Sequence, residues 1–341
     1  MYRLTLKFAG RIGFFTAALL LGALAAQAAE KVTYNSDWLF YGRDLGWFTA
    51  LDKGFFREAG LDVKIVRGFG SGKTVKTVSA GRNDYANADT GVIIQARAKG
   101  MKLRAIGMFH DKSLHAIYTT ADKGIRSPKD LEGRTIGVGK GSAPHQMFPA
   151  LASANGVDPK KIEWLYMAFT VTIPSLISGK IDSTLAFNTL ESLFTNKSRA
   201  AGKKPVILLY ADYGVDPYSS AFMTTDNRIA RKPGEVRRFV HAMYKGIAYA
   251  VEHPEEAADL FIQGQYNPTT SRKAILAVWD TVMDHLLTPT AMKRGIGHQS
   301  RKKMERTRDL MMKFGGVKVK VPLDEIYTNR FLPKLFPKRS N

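Results

Sequence analysis

Two glycine-rich segments are where this chain's backbone could act on a ligand. Gly68-Phe69-Gly70-Ser71-Gly72-Lys73-Thr74 approaches a nucleotide-phosphate loop, but G-x-x-x-x-G-K-[ST] needs glycine where Arg67 stands. Gly137-Val138-Gly139-Lys140-Gly141-Ser142 approaches a dinucleotide fingerprint and fails in the same way, with Ser142 in place of the third glycine. Both read instead as strand-to-helix turns. Their N–H groups and helix N-termini could face an anionic or polar ligand at Gly70, Ser71 and Ser142, or could simply turn the chain. Ser142 is also placed to cap the next helix. His145, in that helix's first turn, faces either a cleft or solvent.

Further polar and aromatic residues stand where strands end. They are Asn87, Asp89 and Thr90; Phe109, His110 and Asp111; Phe187, Asn188, Thr189 and Glu191; and Tyr218 with Ser219. Each has a structural explanation in capping or turn chemistry, Asp89 above all as an N-cap. Together, at the carboxyl ends of several strands, they are candidates for one binding cleft. In the aromatic cluster Trp38, Phe40, Tyr41, Trp47 and Phe48, the helical pair Trp47 and Phe48 reads as core. Trp38, on a loop beside Asp37, could stack on a planar ligand or an organic cation.

Turnover chemistry is not legible. The seven histidines form no H-E-x-x-H and no i, i+4 pair, and no G-x-S-x-G elbow occurs. The chain has no cysteine, which excludes a thiol nucleophile, a cysteine-ligated metal, a disulfide and an acylated cysteine anchor. The expectation is a binding protein with no cofactor and no metal.

The elements that would position these residues alternate. Strands are expected at Lys31–Tyr34, Leu61–Val66, Asp84–Ala88 and Leu103–Phe109, with helices at Gly46–Ala59, Lys73–Ala80 and Thr90–Lys99 between them. A second unit begins near Ala121. Its strands are Thr135–Val138, Ile162–Tyr166, Ser183–Phe187 and Val206–Tyr210, and Ala221–Thr224 returns the chain to the first unit. From Pro233 onward the pattern is helical. The fold class is α/β, in two lobes with a cleft between them.

At the front, Arg3, Lys7 and Arg11 precede an apolar run, Phe14 to Ala25, and a small-x-small site, Ala26-Gln27-Ala28. That is the pattern of a Sec-type signal peptide over residues 1–28, with cleavage after Ala28, and the run is short for a membrane span. The first lobe is then 29–120 and the second 121–220. Residues 221–341 return to the first lobe, with hinges near Thr119–Ala121 and Ala221–Thr225. Net charge is +21, spread along the chain. An exported chain of this kind is expected to present solvated basic faces or an anion-attracting field, not to bind nucleic acid.

Ala50-Leu51-Asp52-Lys53-Gly54-Phe55-Phe56-Arg57-Glu58-Ala59-Gly60-Leu61-Asp62-Val63 resembles the first helix–strand unit of the NMT1/THI5-like and sulfonate/nitrate/taurine solute-binding families. Gly81-Arg82-Asn83-Asp84-Tyr85-Ala86 with Asp89, Pro128–Val138 and Leu176–Asp182 fit the same pattern, in the same order, to about residue 260. The resemblance implies a type II periplasmic-binding fold. It implies a monomer that closes on one small solute and delivers it to the membrane permease of an ABC importer, powered by a cytoplasmic ATPase. Ligands in these families include pyrimidine thiamine precursors, sulfonates, taurine, nitrate and aromatic acids. One branch is an enzyme that makes the thiamine pyrimidine with a cysteine-rich motif, which this chain lacks. Where pyrimidine binders show proline-asparagine after the tryptophan, this chain reads Leu39-Phe40-Tyr41. A periplasmic enzyme or a sensor-docking module on the same fold is the alternative.

Overall fold

The computed structural model describes residues 29–340; the expected signal peptide, 1–28, lies outside the described residues. The first sheet runs β2-β1-β3-β10-β4. Its strands are β1 Glu30–Ser36, β2 Leu61–Arg67, β3 Tyr85–Asp89, β4 Leu103–Met108 and β10 Ser220–Thr225. The second runs β7-β6-β8-β5-β9, with β5 His115–Thr120, β6 Thr135–Val138, β7 Glu163–Tyr166, β8 Ser183–Phe187 and β9 Pro205–Leu209. β1 is parallel to β2 and β3, and β10 enters antiparallel between β3 and β4. The second sheet repeats the plan, with β5 antiparallel to β8 and β9. Each lobe therefore owns one strand inserted against the direction of its sheet.

β5 was not anticipated as a strand. Its residues are buried on both faces, so it carries none of the alternation by which a half-buried strand is read. Its membership in the second sheet moves the crossings. The chain passes between sheets at 109–114 and at 210–219, while the expected hinges fall at the end of β5 and inside β10. Lys303 pins both crossings. Its ammonium donates to Asp111 O, lies 3.8 Å from the Asp111 carboxylate and 3.7 Å from that of Asp216, and sits over the Tyr218 ring.

The long helix expected at Gly46–Ala59 is two, α1 Leu45–Asp52 and α2 Phe55–Glu58, broken where Gly54 takes φ +76°. The glycine loops open α3 Ser71–Ser79 and, in the second lobe, α5 Ala143–Ala154; between them in sequence lies α4 Thr90–Ala98. α6 Phe169–Ile177 and α7 Glu191–Ala200 complete the second lobe. The helical tail contains α8 Asp226–Arg231, α9 Pro233–Glu252, α10 Pro254–Gln263, α11 Arg272–Leu286, α12 Pro289–Arg294, α13 Arg301–Lys313 and α14 Leu323–Ile326. α9 crosses α1 closely because a Cβ at Gly246 would meet Gly46 O and Ala50. The core beneath joins Trp47, Phe56, Phe239 and Trp279, with Tyr85 stacked on Phe239 at 3.9 Å.

Candidate functional site

Parallel order brings the carboxyl ends of β1, β2, β3, β6 and β8 to one cleft. The lobes meet across it. Trp38 sets its ring edge-on to Phe169 of α6, with centroids 5.3 Å apart, and the hydroxyls of Tyr41 and Thr189 lie 3.1 Å apart. A Cβ at Gly70 would lie 3.4 Å from Gly141 O, so the two glycine loops face each other in a closed arrangement. The cavity between them is partly open, and its empty space of about 420 Å³ includes solvent at its mouth. It opens into an outer groove that shares Trp38, Tyr41, Phe169 and Leu190 and whose empty space, open solvent included, is about 1590 Å³.

Trp38, Tyr41, Phe169 and Phe187 frame the inner cavity, with Pro144, Leu185 and Leu190 between them. The polar contribution comes from Asp37, Gly70, Ser71 and Ser142. Gly70 and Ser142 are the N-cap residues of α3 and α5, so two helix N-termini converge from opposite lobes. Ser142 Oγ has no partner among the described residues.

Under this cavity is a buried polar network. Asp37 Oδ1 accepts from Arg43 Nη2 at 2.5 Å and from Asn87 Nδ2 at 2.9 Å; Oδ2 accepts from Ser71 Oγ at 2.9 Å. Tyr34 OH and Asp37 N both donate to Asn87 Oδ1. Arg43 is fully buried, with Asp44 Oδ1 3.9 Å from the same Nη2 and with Nε and Nη1 unpartnered among the described residues. Burial opposes its charge, but Asp37, Tyr41 and Asp44 outweigh that and hold the guanidinium firmly protonated. Burial pushes the Asp44 carboxyl up to about 7, against the pull of Arg43 and hydrogen bonds from Tyr41 N and Ser36 Oγ. His110, fully buried with neither ring nitrogen partnered among the described residues, is kept neutral by burial, by Arg43 and by His285.

The expected site residues divide by position. Trp38, Gly70, Ser71 and Ser142 line the cavity. Asn87, Asp89 and Thr90 stand one layer behind. Asn87 orients Asp37; Asp89 caps α4 through Gly91 N at 2.9 Å; Thr90 Oγ1 donates to Ser219 O at 2.5 Å. Asn188 turns away to His285 Nε2, 3.2 Å distant. His145 packs between Trp164 and Tyr166, off the cavity. Phe109 and Tyr218 lie outside it, in the core. Phe109 packs on Trp47 at 5.2 Å, and Tyr218 OH accepts from Ser300 N at 2.7 Å. Both stand just outside a strand, in the two crossings, where the chain between the sheets packs their side chains into the core. Arg43 and Phe169 were not singled out from the sequence. Asp89 also meets His115 Nε2 at 3.0 Å, without hydrogen-bond geometry, and Ser113 Oγ lies 3.0 Å from His115 Nδ1. These three, at the end of β3, in the first crossing and at the start of β5, are buried and do not line the cavity. Among the described residues no group of three His, Asp or Glu is placed to hold a metal, and no helix is long and apolar enough to cross a membrane.

Two mixed sheets, each with one reversed strand, meeting over an aromatic cavity define a two-lobed protein of the periplasmic-binding fold. The chain belongs to the NMT1/THI5 like family, whose model matches residues 44–257. The formylaminopyrimidine-binding protein of Halalkalibacterium halodurans is 24% identical over 70% of this chain and 72% of its own length. The riboflavin-binding protein RibY of Chloroflexus aurantiacus is 23% identical over 91% of this chain and 88% of its own. A 4-amino-5-hydroxymethyl-2-methylpyrimidine phosphate synthase of Legionella pneumophila is 23% identical over 69% and 74%. Among solved structures, the periplasmic aliphatic sulphonate binding protein SsuA of Escherichia coli superposes with a TM-score of 0.66 at 14% identity, covering 92% of this chain and 96% of that one.

Proposed function

We propose that this protein is the solute-binding receptor of an ABC importer, working outside the cytoplasmic membrane. It captures one small organic solute by lobe closure, releases it unchanged to a permease, and is not an enzyme. The observation that carries this reading is the cleft cavity, whose walls come from both lobes and whose two glycine loops touch across the seam. Separation of the lobes would widen such a cavity for a solute to enter and leave. The names of the binding-protein relatives support the reading; the related synthases keep an enzyme as the alternative.

The cavity also limits the ligand. Four aromatic rings suit a flat ring system. Asp37 Oδ2 accepts one hydrogen bond, from Ser71, and has capacity for a ligand N–H. The two helix N-termini favour an acceptor or anionic group on the ligand's other side. A heteroaromatic solute carrying both donor and acceptor groups fits these walls, with Trp38, Gly70, Ser71 and Ser142 as contacts and Asp37, Tyr41 and Phe169 added to them.

The test is a thermal-shift screen of residues 29–341 against pyrimidines, flavins, sulfonates, aromatic carboxylates, nitrate and polyamines. A ligand at a hundred times its Kd is expected to add about 2.7 kcal/mol of stability, a rise of roughly 5–10 °C. The expected hit is an N-heteroaromatic compound. A shift given only by aliphatic sulfonates or nitrate would refute the ring assignment. No shift with any class, from protein shown empty by native mass spectrometry, would count against the receptor reading.

A further inference from the structure

We propose that the outer groove is a second subsite for the same solute, one that takes a flexible tail ending in an anionic group while the ring occupies the inner cavity; this rests on the receptor reading above. The two spaces are continuous. Trp38, Tyr41, Phe169 and Leu190 line both, so a substituent that leaves the ring between these side chains enters the groove directly.

The groove is built from both lobes, and every ionisable side chain that lines it apart from Tyr41 is a cation. α6 and α7 of the second lobe form one side. The loop Trp38–Gly42, the segment 267–271 and the first turns of α11 form the other. Lys197 lines it from α7 and Lys273 from α11, and no Asp or Glu lines it. Among the described residues neither ammonium pairs with a carboxylate, whereas Arg272, next to Lys273, is held by Asp259 and Glu255. Ser192, Asn196, Thr269 and Thr270 add hydroxyl and amide groups to the wall. The first-lobe side is held in shape. Asn267 Nδ2 donates to Phe40 O at 2.8 Å, Asn267 Oδ1 accepts from Thr269 Oγ1 at 2.8 Å, and Tyr266 stacks on Phe48 at 3.8 Å.

Charge decides which end of the solute goes where. In the inner cavity a full negative charge would stand near the Asp37 carboxylate, which lines that space. In the groove it meets two uncompensated cations and neutral donors. The glycine loops therefore suit an acceptor on the ring, and the groove suits the anion. Lys197 and Lys273 stand on elements of different lobes, so a tail that contacts both adds to the free energy of closure.

Matched compounds that differ only in the tail test this by calorimetric titration of the mature protein: cytidine against its 5′-phosphate, thiamine against its monophosphate, and riboflavin against its 5′-phosphate. In any pair that binds, the phosphate is expected to bind about tenfold tighter at low salt, from two partly screened contacts of a few-fold each. That advantage should shrink as salt is raised. Lys197→Gln with Lys273→Gln is expected to erase it and leave the parent compound's affinity within about twofold. Both lysines are exposed, so the ligand-free melting temperature should hold. Lys318→Gln with Lys320→Gln removes the same charge from exposed positions outside the groove and should keep the advantage. A phosphate that binds no tighter than its parent would overturn the subsite. So would an advantage that survives loss of both groove lysines, which would place the anion at the glycine loops, or one lost equally in the Lys318 and Lys320 control, which would assign it to net charge. In each of these cases the parent compound still binds and the receptor reading stands. Failure of all six compounds would also overturn the subsite, and the wider thermal-shift screen then decides the receptor reading separately.

Discussion

Arg43→Met is expected to destabilise the protein by about 3–5 kcal/mol, because removing one partner of a buried ion cluster leaves its charges uncompensated. Arg43 Nη2 lies 2.5 Å from Asp37 and 3.9 Å from Asp44, and both carboxylates are buried. Methionine keeps the volume and removes the charge. At roughly 2–4 °C per kcal/mol for a chain of this size, the melting temperature should fall by about 10 °C, measured by circular dichroism. The loss should depend on pH. The Asp44 carboxyl is already pushed up to about 7 with Arg43 present, and without the arginine it rises further. A carboxyl whose folded pKa is raised contributes stability below its unfolded value that is lost as pH rises through the folded one. The deficit of Arg43→Met against wild type should therefore be larger at pH 8 than at pH 5. A variant melting within two degrees of wild type at pH 8, or a deficit that grows on acidification, would show that Arg43 does not hold this network together.

Gly72→Val separates closure from folding. Gly72 has an ordinary helical backbone in the second position of α3, so a side chain there strains nothing within its own lobe. In the closed form its Cβ would lie 2.7 Å from Gln146 Nε2 and 2.9 Å from Gly141 O. The glutamine can swing aside; the carbonyl is backbone and holds its position. Overpacking at such a seam costs typically about 1–3 kcal/mol, which weakens ligand binding by about fivefold to a hundredfold. The ligand-free melting temperature is expected to stay within about two degrees, since surface changes away from buried features cost little. A variant that binds as tightly as wild type would mean that the loops need not meet for the ligand to be held. One that unfolds would place Gly72 in the structure of its own lobe.

These residues show how far the sequence could be read. The glycine loops announced themselves through composition, and both open helices at the cleft, though nothing in their spacing said that they would touch each other. Trp38 was legible as an aromatic residue on a loop just past a strand. Arg43 was not. In a chain with net charge +21 an arginine beside Gly42 reads as one more solvated cation, and only the fold buries it against the Asp37 and Asp44 carboxylates. Phe169 sits in an Ala-Phe-Thr-Val-Thr run with no turn or capping signal to mark it as the wall that meets Trp38. Strand ends located Phe109 and Tyr218 correctly along the chain, but both fall just outside their strands, in the crossings, and turn to the core. The two-lobed arrangement was visible in the alternation of elements. The exact crossings were hidden because β5 is buried on both faces.

The fate of a bound solute tests the central claim most directly. Calorimetric titration of the mature protein with the compound that raises its melting temperature should give one site per chain and a heat signal that ends at saturation. Mass spectrometry of the recovered compound should return it unchanged after prolonged incubation. Continuing heat at saturation, or a new product that accumulates with time, would contradict a receptor and identify an enzyme on the same fold.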